Sequence, residues 1–487
     1  MDKIELDTST ESTGSITIDP TSLDLERVRQ PLGWHLRQAI CVAILCISDL
    51  FAVLLAAGAG FLQAGLLRKW LPLEELTIFG WAHGGGILFL FVASGYLLRG
   101  LYSRREPFWE QVRLTITTCS LMILLTVLAL YLTKIGESTP RSLVLLAGLN
   151  LLLIAPITRL TTIRFLHAIG LWSRRVLIFG EEEASHRLGK DLEIDFALGY
   201  RVIGYRSFQQ SDHKMKKIDE IIVCAKGANP NELSQFVTVA HRSAPSVTLI
   251  PELGFLPFGA GSSQFLFDSG RILLKSRNML HARINLLVKR TFDLFAALFL
   301  TLLATPGMIL VALAIRLDSK GTAFYLQTRI GRGGKKFRCI KFRTMHLDAE
   351  ERLKKILDSD PLQRSEWERH YKLKTDPRIT RMGGLLRKWS LDEVPQLLNV
   401  IIGTMSLVGP RPLPEYHHDR IEEPQRSDYL DVHPGITGLW QVSGRSDTDV
   451  KQMALLNSWY VRNWSLWLDV TLLLRTIPAV FSRKGAY

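Results

Sequence analysis

Four long apolar stretches, near residues 39–66, 76–98, 113–133 and 142–163, constrain this chain more than any other feature. Each holds about the 20 residues that a helix needs to cross roughly 30 Å of hydrocarbon. Buried helices of a large core are the alternative, but few charges interrupt the stretches and they recur in a regular rhythm, which favours a four-helix transmembrane bundle. The loops fix its orientation. Arg27, Arg29 and Arg37 precede the first stretch, Arg99, Arg104, Arg105 and Arg113 separate the second from the third, and Arg159, Arg164, Arg174 and Arg175 end or follow the fourth. The other two loops carry only Arg68 with Lys69, and Lys134 with Arg141. Positive charge stays on the cytoplasmic side, so the N-terminus and the chain beyond the fourth stretch are expected there. Asp49 lies inside the first stretch, where a charge is costly and no partner is evident along the sequence.

The rest of the chain needs more than one further domain. Residues 1–34 read as a disordered tail rich in Ser, Thr, Asp and Glu, without the apolar core of a signal peptide. Residues 35–168 are the bundle, 169–279 a small α/β domain, and 280–487 a basic C-terminal domain. A formal net charge of +14 suits anionic partners: nucleotides, lipid phosphates, a negatively charged leaflet or nucleic acid. Cys41, Cys46, Cys119, Cys224 and Cys339 are scattered, in neither a disulfide framework nor a zinc spacing, as expected in a reducing compartment.

The stretch "RRVLIFGEEEASHRLGKDL" (174–192) reads as strand, glycine turn and helix. The apolar runs 219–225 and 246–252 alternate with a helical stretch near 230–242, as in a parallel α/β domain. Only Gly180 remains of a dinucleotide fingerprint, because Glu182 and Ser185 stand where the second and third glycines belong. Side chains there obstruct a pyrophosphate, and Glu181 to Glu183 repel it. A structural or regulatory role therefore fits this domain better than cofactor binding.

A fifth apolar segment, 286–321, differs from the first four. Pro306 interrupts it near its centre, Gly307 loosens the same point, and both flanks are cationic: Lys289 and Arg290 on one side, Arg316 and Lys320 on the other. A helix broken midway, with both ends suited to one anionic leaflet, fits a re-entrant hairpin better than a straight crossing. Beyond it, "RIGRGGKKFRCIKFRTM" predicts two strands around a turn that Gly331, Gly333 and Gly334 permit. Alternating cations and apolar residues give that hairpin a core face and a face for phosphates or membrane, although basic hairpins are common solvated surfaces.

"SLDEVPQLLNVIIGTMSLVGPRP" carries the chemistry. Ser390 followed by Glu393 is a capping box, so the acid pair is first of all a helix start. A helix N-terminus also keeps Asp392 ionised and cradles a phosphate, Glu393 adds a hard oxygen suited to magnesium, and Arg411, held between Pro410 and Pro412, offers a fork for a diphosphate. Nucleophile, metal and neutralising charge are the parts of phosphoryl transfer. "HPGITGLWQVSGR" (433–445) is a loop that allows close backbone approach around a sugar or base. Trp459, Tyr460, Trp464 and Trp467 suggest an aromatic belt at a headgroup interface, or a core helix.

The segments "KFRTM", "LKTDPRITRMGGLLRKWSLDEVPQLLNVIIGTMSLVGPRP", "HPGITGLWQVSGR" and "WSLWLD…GAY" resemble the bacterial sugar transferase family, the polyprenyl-phosphate hexose-1-phosphate transferases or monotopic phosphoglycosyl transferases. The resemblance is specific over about 280–487 and looser over the rest, and it is strongest to the galactose-transferring branch. It implies a multi-domain membrane protein of the bacterial inner membrane: a four-helix transmembrane bundle, a degenerate Rossmann-like α/β domain, and an α+β phosphoglycosyl transferase domain with a re-entrant helix at about 286–317, both soluble domains being cytoplasmic. It further implies that Asp392 attacks a UDP-hexose and that undecaprenyl phosphate takes the sugar phosphate from it. Glu393 would hold magnesium, with Arg343, Arg387, Pro410, Arg411, Pro412 and Arg445 around the substrate phosphates. Lys289, Arg290, Pro306, Trp459, Trp464 and Trp467 would seat the domain on membrane lipid. A homodimer is a family-level expectation, and nucleic acid is not an expected partner.

Two rivals differ in class. A membrane-anchored nucleotide-sugar dehydratase or epimerase needs the intact glycine loop and a Tyr-x-x-x-Lys pair, neither of which the middle domain carries. A non-catalytic scaffold would release no UMP from a UDP-hexose.

Overall fold

The computed structural model describes residues 32–70, 78–132, 141–207, 218–225, 246–250, 262–266, 271–275, 279–359, 376–444 and 450–481, with a few isolated positions between. The N-terminal tail, Arg445, most of 360–375 and most of the helical stretch near 230–242 lie outside the described residues. The chain forms two compact units, one spanning Thr10–Leu253 and the other running from Gly254 to Tyr487.

The first unit opens with four helices: α1 (Leu32–Leu67), α2 (Ile78–Leu98), α3 (Phe108–Leu132) and α4 (Arg141–Ala168). Three contain windows long and apolar enough to cross a membrane, and α2 contributes a shorter apolar helix. The helices meet at small residues, as in lipid, where packing and not water exclusion drives association. A Cβ on Gly60 of α1 would stand 2.8 Å from the backbone nitrogen of Ala147 on α4. Asp49 has its partner: Arg159 of α4, wholly buried, donates to Asp49 Oδ2 at 2.7 Å, and Tyr102 donates to the same oxygen at 2.8 Å. Arg159 also reaches the Leu101 carbonyl at 2.6 Å, so the pair ties α1, α4 and the end of α2 together.

A four-stranded parallel sheet follows in the order β2-β1-β3-β4, built from β1 (Arg174–Phe179), β2 (Tyr200–Arg206), β3 (Glu220–Cys224) and β4 (Val247–Ile250), with α5 (Glu182–Ile194) after β1. Val176 to Phe179 are all buried, the continuous apolar run that a strand covered on both faces requires.

The second unit begins with an antiparallel pair, β5 (Ser262–Leu266) and β6 (Arg271–Lys275). Then comes α6 (Arg283–Asp318), whose 36 residues would measure about 54 Å if straight. The expected break at Pro306 does not end the helix, which continues through it. Proline removes one donor, for the Leu302 carbonyl, and the intact turns on either side carry the helix past that loss. Almost none of the apolar window of α6 is buried. Hairpin β7 (Phe324–Ile330) and β8 (Lys336–Phe342) turns at Gly333 and Gly334, both with positive φ. After an exposed helix at Ala349–Ser359, the elements around the site include α7 (Arg381–Lys388), α8 (Gln396–Ile402), β9 (Ser406–Val408), α9 (Gln425–Asp431), β10 (Gly435–Thr437), α10 (Leu439–Gly444), α11 (Val450–Arg462) and α12 (Leu466–Phe481), with a single helical turn at Glu415–His418. Parallel β9 and β10 sit in a core with Ala297, Cys339, Val400, Tyr460, Trp464 and Leu472.

Candidate active site

Asp392 and Glu393 lie on a single 3-10 turn, Leu391–Glu393, and not in the first turn of an α-helix. The capping box does not form: Ser390 has φ 54°, in the left-handed region, and its side chain makes no cap hydrogen bond. Pro395 is the physical reason. A helix begun at Leu391 would need the Pro395 N–H for the Leu391 carbonyl, and proline has none. The Val394 N–H serves that carbonyl instead at 3.3 Å, and α8 starts one residue after the proline. The acid pair therefore sits on a strained loop, since a non-glycine residue at positive φ costs free energy that surrounding structure must offset.

Both carboxylates are half-buried. Burial, and then the negative charge of Glu393, pushes the Asp392 carboxyl above its ordinary range, while Lys341 and Arg387 pull it back in part. The sequence led us to expect a helix terminus holding Asp392 ionised; with no such terminus, desolvation decides the direction. Glu393 Oε1 accepts from Lys341 Nζ at 2.8 Å and from Arg411 at 3.4 Å. Asn399 of α8 holds β8 in place for this contact, donating to the Arg338 carbonyl at 2.8 Å and accepting from the Ile340 N–H at 2.9 Å. Lys341 is the next residue along.

Arg387, at the end of α7, donates to the Thr344 hydroxyl at 3.0 Å, and its charge acts on Asp392. Arg411 lies 5.8 Å from the Trp440 ring centre, and its carbonyl accepts from the buried Tyr429 hydroxyl at 3.0 Å. The Pro410 carbonyl accepts from Gly435 at 2.8 Å, which joins "GPRP" to "HPGITG" through backbone. A Cβ on Gly409, Gly435 or Gly438 would fall within 2.6 Å of backbone atoms of the facing loop. The close approach anticipated for a sugar or base is thus made between the two loops themselves.

Several anticipated residues lie elsewhere. Arg343 is buried and spends its guanidinium on the Lys320 carbonyl (2.6 Å) and on Ser319 (2.8 and 2.9 Å), just past the end of α6. Lys289, 8% exposed, is paired with Asp469 at 2.7 Å and donates to the Val408 carbonyl at 3.1 Å, so it faces the interior and no headgroup. Arg290 donates to the Val400 and Ile401 carbonyls at the end of α8. Trp464 is buried and donates to Asp469 at 3.0 Å, the core-helix alternative, while Trp459 and Trp467 are half-buried. Exposed apolar residues of α6 such as Phe295, Phe299, Leu302 and Leu310 offer the lipid-facing surface instead. Sequence reasoning missed Lys341, Thr344, Asn399 and Trp440 as site residues; "KFRT" and "GLWQ" were the available signal for three of them.

Among the described residues no cluster of three or more His, Cys, Asp or Glu could cage a metal ion. The adjacent hard oxygens of Asp392 and Glu393 do fit magnesium, which binds through one or two carboxylates and completes its shell from substrate phosphate and water.

A membrane-embedded chain that gathers a carboxylate pair and convergent cations beside a lipid-facing helix has the build of an enzyme acting on anionic substrates at a bilayer. The comparisons give that class its family. The family model for bacterial sugar transferases matches residues 284–483. The undecaprenyl-phosphate galactose phosphotransferase of Salmonella typhimurium is 33% identical over 472 residues, 92% of this chain and 98% of that protein. The UDP-galactose-lipid carrier transferase of Erwinia amylovora is 32% identical over 468 residues, 91% of this chain and 97% of that one. The UDP-glucose:undecaprenyl-phosphate glucose-1-phosphate transferase of Caulobacter vibrioides is 41% identical over 206 residues, 41% of this chain and 72% of that protein. The chain belongs to the bacterial sugar transferase family, whose common activity is transfer of a sugar-1-phosphate to a polyprenyl phosphate. It is a multi-pass inner-membrane protein, with its soluble parts on the arginine-rich cytoplasmic side.

Proposed function

We propose that this chain transfers galactose-1-phosphate from UDP-galactose to undecaprenyl phosphate, releasing UMP, through a phosphosugar bonded to Asp392. One observation carries the reading: a half-buried carboxylate of raised pKa lies beside Glu393, with Lys341, Arg387 and Arg411 converging on the pair. A poorly solvated carboxylate is a stronger nucleophile than one in water. An Asp392 oxygen attacks the β-phosphorus, the bond from that phosphorus to the bridging oxygen breaks, and UMP leaves with the electron pair. A phosphate oxygen of the lipid then attacks the same phosphorus and frees the carboxylate. Lys341, Arg387 and Arg411 offset charge on the transferring phosphoryl group. Magnesium held by Glu393 and Asp392 would add Lewis-acid neutralisation of the diphosphate.

Re-entrance of α6 is supported by what its two ends touch. Near the start, Lys289, Arg290 and Asp293 bond to Asp469, α8 and Ser406. At the other end Ile315 shares a core with Phe342 and Leu386, and Asp318 accepts from the Met382 N–H at 3.1 Å. One soluble domain on one side of a bilayer cannot hold both ends of a straight crossing. The parallel sheet likewise supports reading the middle domain as a nucleotide-binding fold that has lost its glycines.

Galactose is favoured over glucose because the two galactose-named relatives match along more than nine-tenths of the chain, whereas the glucose-named relatives of Caulobacter vibrioides and Escherichia coli match 41% and 65% of it. Full-length protein given undecaprenyl phosphate, magnesium and either UDP-galactose or UDP-glucose should release UMP at least about tenfold faster from UDP-galactose, a discrimination that one buried hydroxyl contact supplies. Preference for UDP-glucose replaces the hexose; UMP from neither refutes the reaction.

A further inference from the structure

A second basic site lies in the first unit, apart from the carboxylate pair. A cleft opens where three membrane helices end: Arg37 near the start of α1, Ser103 and Arg105 after α2, and Trp172 and Arg174 after α4 line it. It measures about 490 Å³ with its open mouth, and its inner volume is about 30 Å³. One water needs roughly 10–15 Å³, so the interior takes a group of a few heavy atoms and no whole nucleotide.

Its charged lining is mostly basic: Arg37, Arg105 and Arg174 against Asp219. Arg105 donates to the Trp172 carbonyl at 2.6 Å and lies 4.5 Å from the centre of that indole; Arg37 donates to the Gly170 carbonyl at 2.6 Å. Neutral backbone thus fixes both guanidiniums without cancelling their charge. Arg174 forms a 3.6 Å ion pair with the buried Glu220, so its charge is partly offset and Arg37 and Arg105 carry most of the positive field. Asp219, the carboxylate of the lining, accepts from the Arg175 N–H at 2.8 Å and from its guanidinium at 3.3 Å. Burial first, and then the neighbouring Arg174 charge, pull Arg105 down to about 10, with Asp219 offsetting part of the shift, so Arg105 stays protonated at neutral pH. Preorganised arginine forks bind phosphate oxygens in pairs. Depth matters as well: the three arginine-bearing segments lie within a few residues of the end of an apolar helix, the level of lipid headgroups.

We propose that this cleft binds a phosphate group, supplied either by an anionic lipid of the cytoplasmic leaflet or by a free phosphate anion. The bound anion bridges the start of α1 to the segments that follow α2 and α4. This site is independent of the transfer reaction.

The test uses the full-length protein in detergent. Native mass spectrometry follows titration with phosphatidylglycerol, with phosphatidylcholine as the zwitterionic control, and a thermal-shift series follows inorganic phosphate at constant ionic strength. Ser103→Glu places a negative charge at the exposed rim and removes no contact of Arg37 or Arg105, so it separates loss of binding from loss of fold. The wild type should retain phosphatidylglycerol in preference to phosphatidylcholine, and Ser103→Glu should weaken that retention about tenfold, the worth of roughly one charge contact. Stabilisation by inorganic phosphate that Ser103→Glu abolishes, without lipid preference, assigns the free anion. The proposal fails if neither probe distinguishes wild type from Ser103→Glu, or if Arg37→Gln with Arg105→Gln, folded, binds both probes as the wild type does.

Discussion

At the scale of single residues, Asp392 illustrates how environment and not motif decides chemistry. Its folded pKa is raised, so the carboxyl favours its neutral form in the protein more than in the unfolded chain. Stability from that group is full at low pH and is lost as pH rises through the folded pKa. Asp392→Asn removes the loss. The variant should fold with a Tm at neutral pH equal to or above wild type, while UMP release falls by about three orders of magnitude or more, as for a removed nucleophile. A lowered Tm with activity retained would restore the helix-capping role. The same shift makes the acid limb of kcat/KM fall at higher pH than for an ordinary carboxylate, read from a pH–rate profile. Asp392, Glu393 and Arg411 were legible together because "SLDE" and "GPRP" bracket one short apolar helix. Lys341 was not, because its contact with Glu393 joins residues 52 apart and depends on Asn399 aligning a strand with that helix.

Elements were legible through their periodicity and length; their ends were not. All four bundle helices and α6 follow from runs of apolar residues, since lipid leaves a helix no other way to satisfy its backbone. The cations flanking α6 read equally well as headgroup contacts, and only the distant partner of Lys289, Asp469, turns that side chain inward. Breaking one half of such a buried pair strands the other charge. Lys289→Met is expected to lose about 3–5 kcal/mol of stability, and Lys289→Met with Asp469→Leu to regain most of it. Thermal unfolding of the purified protein checks both, and equal losses in single and double variants would contradict the pairing. Arg343 is the converse case. Its place in "KFRT" groups it with substrate, yet Ser319 to Gly321, just past α6, fold onto it: a Cβ on Gly321 would stand 2.2 Å from its guanidinium.

For the whole molecule, the testable matter is which side of the bilayer each end of α6 occupies. Single cysteines at Asn285 and Lys320, in a chain otherwise freed of cysteine, should both react with a membrane-impermeant maleimide in inside-out vesicles and both be protected in intact spheroplasts. Opposite accessibility of the two would make α6 a crossing helix. The bundle poses no such ambiguity, because arginines mark its cytoplasmic loops; what the sequence withheld there was the Asp49–Arg159 pair, which joins residues 110 apart. The two loops beside Arg411 bear on how chains of this kind diverge. Gly409, Gly435 and Gly438 meet through bare backbone, so neither loop can gain or lose a residue without unseating its neighbour. Room for change at this junction is thereby left to the side chains around it, Trp440 among them, while loop length is fixed by the backbone contact.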